Sequence, residues 1–302
     1  MKKIQVFLST YNGEKFLQDQ IESLLKQEGI QISILVRDDG SKDGTLGILE
    51  NYKKAGKVDF YSGNNIGYAK SFMNLVKQNV HADYYAFCDQ DDVWLPEKLN
   101  EAIKMIDKSL DDTEQIPILY SSALQRIDEN LNLLPLQSFK NLNLTLGAEF
   151  TRHRLAGCSF VFNNRLRNLL KRAEHIKCSH DKLATILCIS CGGKVLFDKS
   201  SHILFRRHGN NTSPDGIGMK AKIEKDIHHY FSGQNDASGL AQQIINQYDD
   251  CLSEEGKHFL LELKNYKNSW FNTIKLGLSP EIDCGFWYFN VFIRTMIFMH
   301  LF

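Results

Sequence analysis

The chain has 302 residues, enough for one large domain with an appendage and too few for two full-sized enzymes. Its residues are 43% hydrophobic and 24% charged, ordinary for a globular protein, and 36 basic residues balance 36 acidic ones, which argues against a chain built to coat nucleic acid. Seven scattered cysteines do not make the dense framework of a small secreted domain, and the one CxxC, Cys188 to Cys191, has no second pair to complete a zinc site and reads as core.

Met1-Lys2-Lys3 leads into Ile4–Leu8, an apolar run too short for a signal peptide, so a cytoplasmic location is expected. Ile4 to Ser9 then reads as a buried strand, and Glu14 to Gln27 as a helix with Phe16, Leu17, Ile21, Leu24 and Leu25 inward. Ile32 to Val36 is a second strand, and Asp43 opens a helix running to about Lys54. Val58 to Tyr61 is a third strand, Tyr68 to Asn79 a helix and Tyr84 to Cys88 a fourth strand. Such alternation predicts an α/β fold, a mostly parallel central sheet with helices on both faces. Every strand ends in polar or glycine-bearing sequence: Ser9 to Gly13, Asp38 to Ser41, Gly63 to Gly67 and Asp89 to Asp92. In open α/β sheets ligands bind beyond the carboxyl ends of the strands, so these loops form a candidate site.

Further on, Ile118 to Ser121 and Cys158 to Phe162 read as strands, Gln125 to Leu134 as a hairpin turning at Asp128 to Asn130, Asp181 to Ser190 as a helix and Ile203 to Arg206 as a short strand. Helices are expected over Ile217–Phe231, Ala237–Cys251, Glu254–Phe271 and Pro280–Leu301. A boundary near 214 divides a catalytic domain, 1–214, from a C-terminal helical region, 215–302. Residues 286–302 are aromatic-rich but interrupted by Asn290, Arg294 and His300. They are too few to span a bilayer, which leaves peripheral membrane contact, a second subunit or the protein's own core as what they cover.

Three of the four residues Asp89-Gln90-Asp91-Asp92 are carboxylates. So close together they repel one another and raise each other's pKa unless a cation intervenes. Their hard oxygen ligands suit Mg2+ or Mn2+, either of which can also hold a diphosphate.

Three segments together resemble the family 2 inverting glycosyltransferases of the GT-A fold: Leu8 to Glu14, Arg37 to Thr45 and Phe87 to Trp94. The Asp-Gln-Asp-Asp-Val-Trp form is similar to that of bacterial rhamnosyltransferases of cell-wall and capsular polysaccharide synthesis. The resemblance covers roughly residues 3–212. It implies a donor that is a nucleotide-diphospho-sugar (dTDP- or UDP-linked), L-rhamnose first and UDP-galactose, UDP-glucose or UDP-N-acetylglucosamine as alternatives. The acceptor it implies is a glycan or lipid-linked hydroxyl, with no nucleic acid involved. It implies a nucleotide site of Thr10, Tyr11, Asn12, Glu14, Asp39, Asn65, Gly67, Asp89 and Gln90, with Asp39 reading the N3–H of uracil or thymine. A metal site of Asp91, Asp89 and His208 follows, and a donor–acceptor junction of Trp94, Gly157, Cys158, His180 and Arg207. Asp181 matches the catalytic base; its bland reading is a helix N-cap. Two aromatic residues often follow that base in the rhamnosyltransferase-like members, whereas this chain has Lys182 and Leu183.

Other classes fit less well. A sugar-phosphate nucleotidylyltransferase would want a glycine-rich basic loop after the first strand, and Ser9 to Glu14 offers one glycine and no basic residue. No GxGxxG follows a strand, which disfavours a dinucleotide-binding oxidoreductase. An inactive glycan-binding or scaffold protein of the same fold is opposed by the joint presence of Asp39, Asp91 and Asp181.

Overall fold

The structure is a computed structural model and describes residues 1–109, 115–209 and 236–302. A strand covered on both faces needs apolar side chains on both. In β1 (Lys3–Thr10), Ile4, Val6 and Leu8 join one apolar cluster and Phe7 another. The alternation then continues through α1 (Leu17–Leu25), β2 (Gln31–Asp38), α2 (Thr45–Lys54), β3 (Asp59–Ser62), α3 (Tyr68–Val76) and β4 (Tyr84–Cys88). After it come β5 (Val93–Trp94), α4 (Lys98–Ser109), β6 (Ile118–Ile127), α5 (Leu146–Thr151), β7 (Val161–Asn163), α6 (Asn164–Arg172), α7 (His180–Ser190) and β8 (Lys194–Arg206).

Eight strands make one sheet in the order β3-β2-β1-β4-β7-β6-β8-β5. Strands β1 to β4 are parallel, as are β6 and β8, whereas β7 is antiparallel to both its neighbours and β5 to β8. The expected α/β sheet with helices on both faces is present, and past β4 it is mixed. Because β2 and β4 flank β1 on opposite sides, the chain reverses its winding there. The carboxyl ends of β1 and β4 therefore border the crevice that such a switch point opens.

One apolar layer sets Ile4, Val6 and Leu8 against Leu17 and Ile21 of α1, Leu49 of α2 and Leu99 and Ile103 of α4. The opposite layer joins Phe7, Phe87 and Phe162 to Phe72 of α3, Leu170 of α6 and Ile186 of α7. It runs on without a break into the C-terminal helices α8 (Ala237–Tyr248), α9 (Glu254–Asn265), α10 (Trp270–Gly277) and α11 (Trp287–Phe298), through Ile244, Leu260, Tyr266, Ile293 and Ile297. The helix expected over Glu254–Phe271 is broken. A 3-10 turn at Tyr266–Asn268 interrupts it, and Ser269 Oγ accepts from the Asn272 N–H to start α10. The boundary near 214 and the helix expected over 217–231 lie outside the described residues.

Helix α11 has two apolar faces. Phe289, Ile293, Met296 and Ile297 are buried, while Trp287, Tyr288, Val291, Phe298 and Met299 are exposed. Exposed Trp270, Phe271, Ile274 and Leu278 on and just after α10 add to that surface. Among the described residues no helix is long and apolar enough to cross a membrane.

Candidate active site

The loops after β1, β2, β3 and β4 meet in one cleft lined by Tyr11, Asn12, Asp39, Asn65, Gly67, Asp89, Gln90 and Asp91. The same cleft is lined by Gly157, Cys158, His180, Asp181, Arg207 and His208, and by Phe286, Tyr288, Phe289 and Phe292 from α11 and the turn before it.

Gln90 ties two of these loops together. Its Oε1 accepts from Thr10 Oγ1 (2.6 Å) and the Tyr11 N–H (2.8 Å), and its Nε2 donates to the Tyr11 carbonyl (3.2 Å). Asn12 sits at φ 49° and stitches the first loop to the second, its N–H donating to Ser41 Oγ and its Oδ1 accepting from the Lys42 N–H. Asp39, only 2% exposed, is ion-paired with Arg37 and accepts from the backbone N–H groups of Ile66 and Gly67 (2.9 to 3.1 Å). It thereby fixes the Asn65–Gly67 turn, in which Gly67 adopts φ +82°, a conformation that favours glycine.

Three of the sequence-expected residues lie elsewhere. Thr10 is buried and spends its hydroxyl on Gln90, and Glu14 caps the second loop by accepting from the Gly44 N–H (2.9 Å). Neither lines the cleft. Trp94 is 2% exposed, packs in the core with the Lys98 ammonium 3.5 Å from its ring centroid, and does not line the cleft. The short β5 that carries it pairs with the end of β8.

The acidic loop splits by burial. Asp91 Oδ2 lies 2.7 Å from His208 Nε2. Asp89 borders the same space, and burial, then the Asp91 and Asp181 carboxylates, push its carboxyl up to about 7. Asp92 is fully buried and accepts from the Arg206 N–H (3.0 Å), while Arg206 Nε donates to the Asp91 carbonyl (2.8 Å), so the end of β8 is stapled to this loop. Cys158 shares a 4.8 Å cluster with Asp89 and Asp92. Burial, and then those two charges, push its thiol well up, which keeps it protonated and a poor ligand. The residues expected to hold a hard cation, Asp91, Asp89 and His208, line one cleft, and the Asp89 and Asp91 carboxylates repel each other there, which a cation would relieve.

Asp181 stands in the first turn of α7, after the N-cap Ser179, and its Oδ1 accepts from the Lys182 N–H (2.8 Å). It is therefore not the N-cap. Burial alone would raise its carboxyl, but the contact with His153 and its charge hold it well below the usual range. His180 is stacked on Phe72 (4.1 Å between centroids) and edge-on to Phe87, and burial pushes it down to about 4, so it is a neutral plug beneath the cleft floor. Gly157 is in close contact with both: a Cβ there would meet His180 Nε2 at 2.7 Å and Asp181 Cβ at 3.2 Å. Sequence reasoning missed Glu149 and His153. They form a buried pair four residues apart, with Glu149 Oε2 2.5 Å from His153 Nδ1.

Comparison with known proteins agrees with the fold. The family model described as Glycosyl transferase family 2 matches residues 5–172. The dTDP-rhamnosyl transferase RfbG of Shigella flexneri is 26% identical over 238 residues, 72% of this chain and 77% of its own. The solved structure of residues 1–349 of Staphylococcus aureus TarS with UDP-GlcNAc superposes with a TM-score of 0.59 at 21% identity, covering 92% of this chain and 77% of that one. The mannosyltransferase PcManGT of Pyrobaculum calidifontis, solved with GDP-Man and Mn2+, does so with a TM-score of 0.50 at 14% identity, covering 100% and 81%.

Proposed function

Because the chain belongs to glycosyl transferase family 2, we propose that it moves a sugar from a nucleoside diphosphate to a hydroxyl of a growing or lipid-linked glycan, inverting the anomeric carbon. The observation that carries this reading is that one cleft holds both an acidic loop suited to a cation and the ionised Asp181. The walls contributed by Tyr11, Asn12, Asn65 and Gly67 support a nucleotide between them, with Asp39 in reach of the base. Asp91, Asp89 and His208 would hold Mn2+ or Mg2+, which when bound offsets the charge growing on the leaving diphosphate. Arg207, which lines the same cleft, adds a guanidinium. Asp181 accepts the proton of the attacking hydroxyl.

The donor we propose is dTDP-L-rhamnose, a reading supported by the likeness to RfbG; UDP-hexoses remain the alternative, supported by TarS with its bound UDP-GlcNAc. A thermal-shift panel of nucleotide sugars with Mn2+ or Mg2+ tests it. A ligand at 100 times its Kd stabilises by about 2.7 kcal/mol, so the true donor should give a clear metal-dependent shift. Silence across all nucleotide sugars would sink the assignment.

We further propose that the exposed apolar surface of α10 and α11 seats the enzyme on a membrane carrying the acceptor. Tyr288 belongs both to that surface and to the cleft. Full-length protein should float with anionic liposomes, and a Trp270→Ser, Phe271→Ser, Trp287→Ser variant should stay at the bottom of the gradient. Equal flotation of the two removes these side chains from the contact.

A further inference from the structure

His153 follows α5, and its ring lies between two carboxylates. Nδ1 contacts Glu149 Oε2 at 2.5 Å, and Nε2 faces Asp181 Oδ2 at 3.5 Å, close enough for an ion pair and too long for a good hydrogen bond. The Glu149 side chain is 2% exposed and the His153 side chain 13%. Nε2 itself is buried and has no hydrogen-bond partner. A buried carboxylate and a buried unpartnered ring nitrogen are each costly unless they serve something.

We propose that Glu149 and His153 form a positioning pair for the base, in which Glu149 orients and charges the imidazole and the imidazolium pins Asp181 Oδ2 and keeps Asp181 ionised. The inference rests on the reading of Asp181 as the base. His180, the residue before Asp181, is held neutral by its burial. Lys182 carries an ammonium that burial pushes down, and its nitrogen lies over the Phe150 ring at 5.9 Å. Arg152 lies over the Phe289 ring and Arg154 over the Phe286 ring, on the α11 side of the cleft.

The contact geometry is reinforced by the titration of the group. Burial disfavours the imidazolium, yet Glu149 and then Asp181 raise His153 to about 9, so it carries its proton through the neutral range. The need is visible across the cleft, where the Asp89 carboxylate and an incoming diphosphate both favour protonation of Asp181. An imidazolium at 3.5 Å opposes them.

The test compares kcat and kcat/KM against pH for wild type, His153→Gln and the Glu149→Gln, His153→Gln double variant, with donor binding measured alongside. Removing an opposite charge at this range raises a carboxyl by about one to three units. In His153→Gln the ratio of wild-type to variant kcat should therefore rise as the pH is lowered, with the acid limb of the variant's kcat profile displaced upward by about one to three units, while the donor Kd barely moves. A ratio of rates cancels the titration of groups the variants share, Asp89 included. The double variant should show a smaller rise than the single one, because the uncompensated Glu149 charge is gone. It also leaves no buried ion behind, so it carries the test if the single variant does not fold. A flat ratio in both variants, with Asp181→Asn inactive, overturns the pair's role and leaves the base in place. An active Asp181→Asn enzyme overturns the reading beneath it.

Discussion

Replacing Asp181 with Asn should leave donor affinity within a few-fold of wild type and lower kcat by about a hundred- to ten-thousand-fold, the range a general base supplies. The amide fills the same volume and can still accept from the Lys182 N–H, so α7 should start as before. What it cannot do is accept the acceptor's proton. The residues proposed to face the nucleotide, Tyr11, Asn12, Asn65 and Gln90, stand on other loops, so the change does not touch them. Removing the Asp181 charge also relieves Asp89, which feels it now, and metal-dependent donor binding should if anything tighten. Titration calorimetry of donor with metal, beside initial rates, separates the two effects. Turnover within tenfold of wild type would take Asp181 out of the chemistry. A matched loss of affinity and rate would make it a residue that holds the cleft together instead.

Much of this site could be read in the sequence because its parts sit where local rules put them. A run of buried strand residues followed by polar residues marks a strand's carboxyl end, and β1, β2, β3 and β4 deliver four such ends to one edge. The acidic loop and Asp181 were legible for the same reason, since each opens or closes a periodic segment. Local pattern says nothing about which of two roles a residue takes once distant elements arrive. Thr10 and Glu14 stand in a recognisable motif, yet their oxygens are spent on Gln90 and Gly44, holding the loops rather than facing the cleft. Trp94 is drawn into the core because β5 pairs with β8, a contact between distant segments. Strand β8 itself shows in the sequence only at Ile203–Arg206. Its first part carries Asp198, Lys199, Ser200 and Ser201, and it is held in the sheet by pairing with β6 through register shifts that polar residues accommodate. The Glu149–His153 pair left one trace, a spacing of four that brings side chains together at a helix end. Its partner Asp181 lies on a different helix, and only the fold shows what the pair is for.

Asp91→Asn should fail in the opposite way from Asp181→Asn, at binding. Losing a residue that merely orients a metal ligand costs about 10- to 100-fold in metal affinity, so losing a ligand carboxylate should cost at least as much. The cleft makes the dependence steep. Asp89 is already pushed up to about 7 by its burial and its acidic neighbours, and a diphosphate brought in without a cation would meet Asp89 and Asp181 with like charge. In wild type, chelation with EDTA should therefore abolish the donor-induced thermal shift as well as turnover, and Mn2+ or Mg2+ should restore both. In the variant, restoration should need at least about tenfold more metal, and kcat at saturating metal should recover more than affinity does. His208→Ala should weaken metal response less, because both carboxylates remain, and it should leave Asp91 without its 2.7 Å partner. The fold should survive either change, since the loop is stapled through Asp92 and the Asp91 main chain to Arg206 rather than through the Asp91 side chain. Donor binding in wild type that ignores EDTA would show that the cleft grips the diphosphate without a cation, and would reassign Asp91 to holding His208 in place.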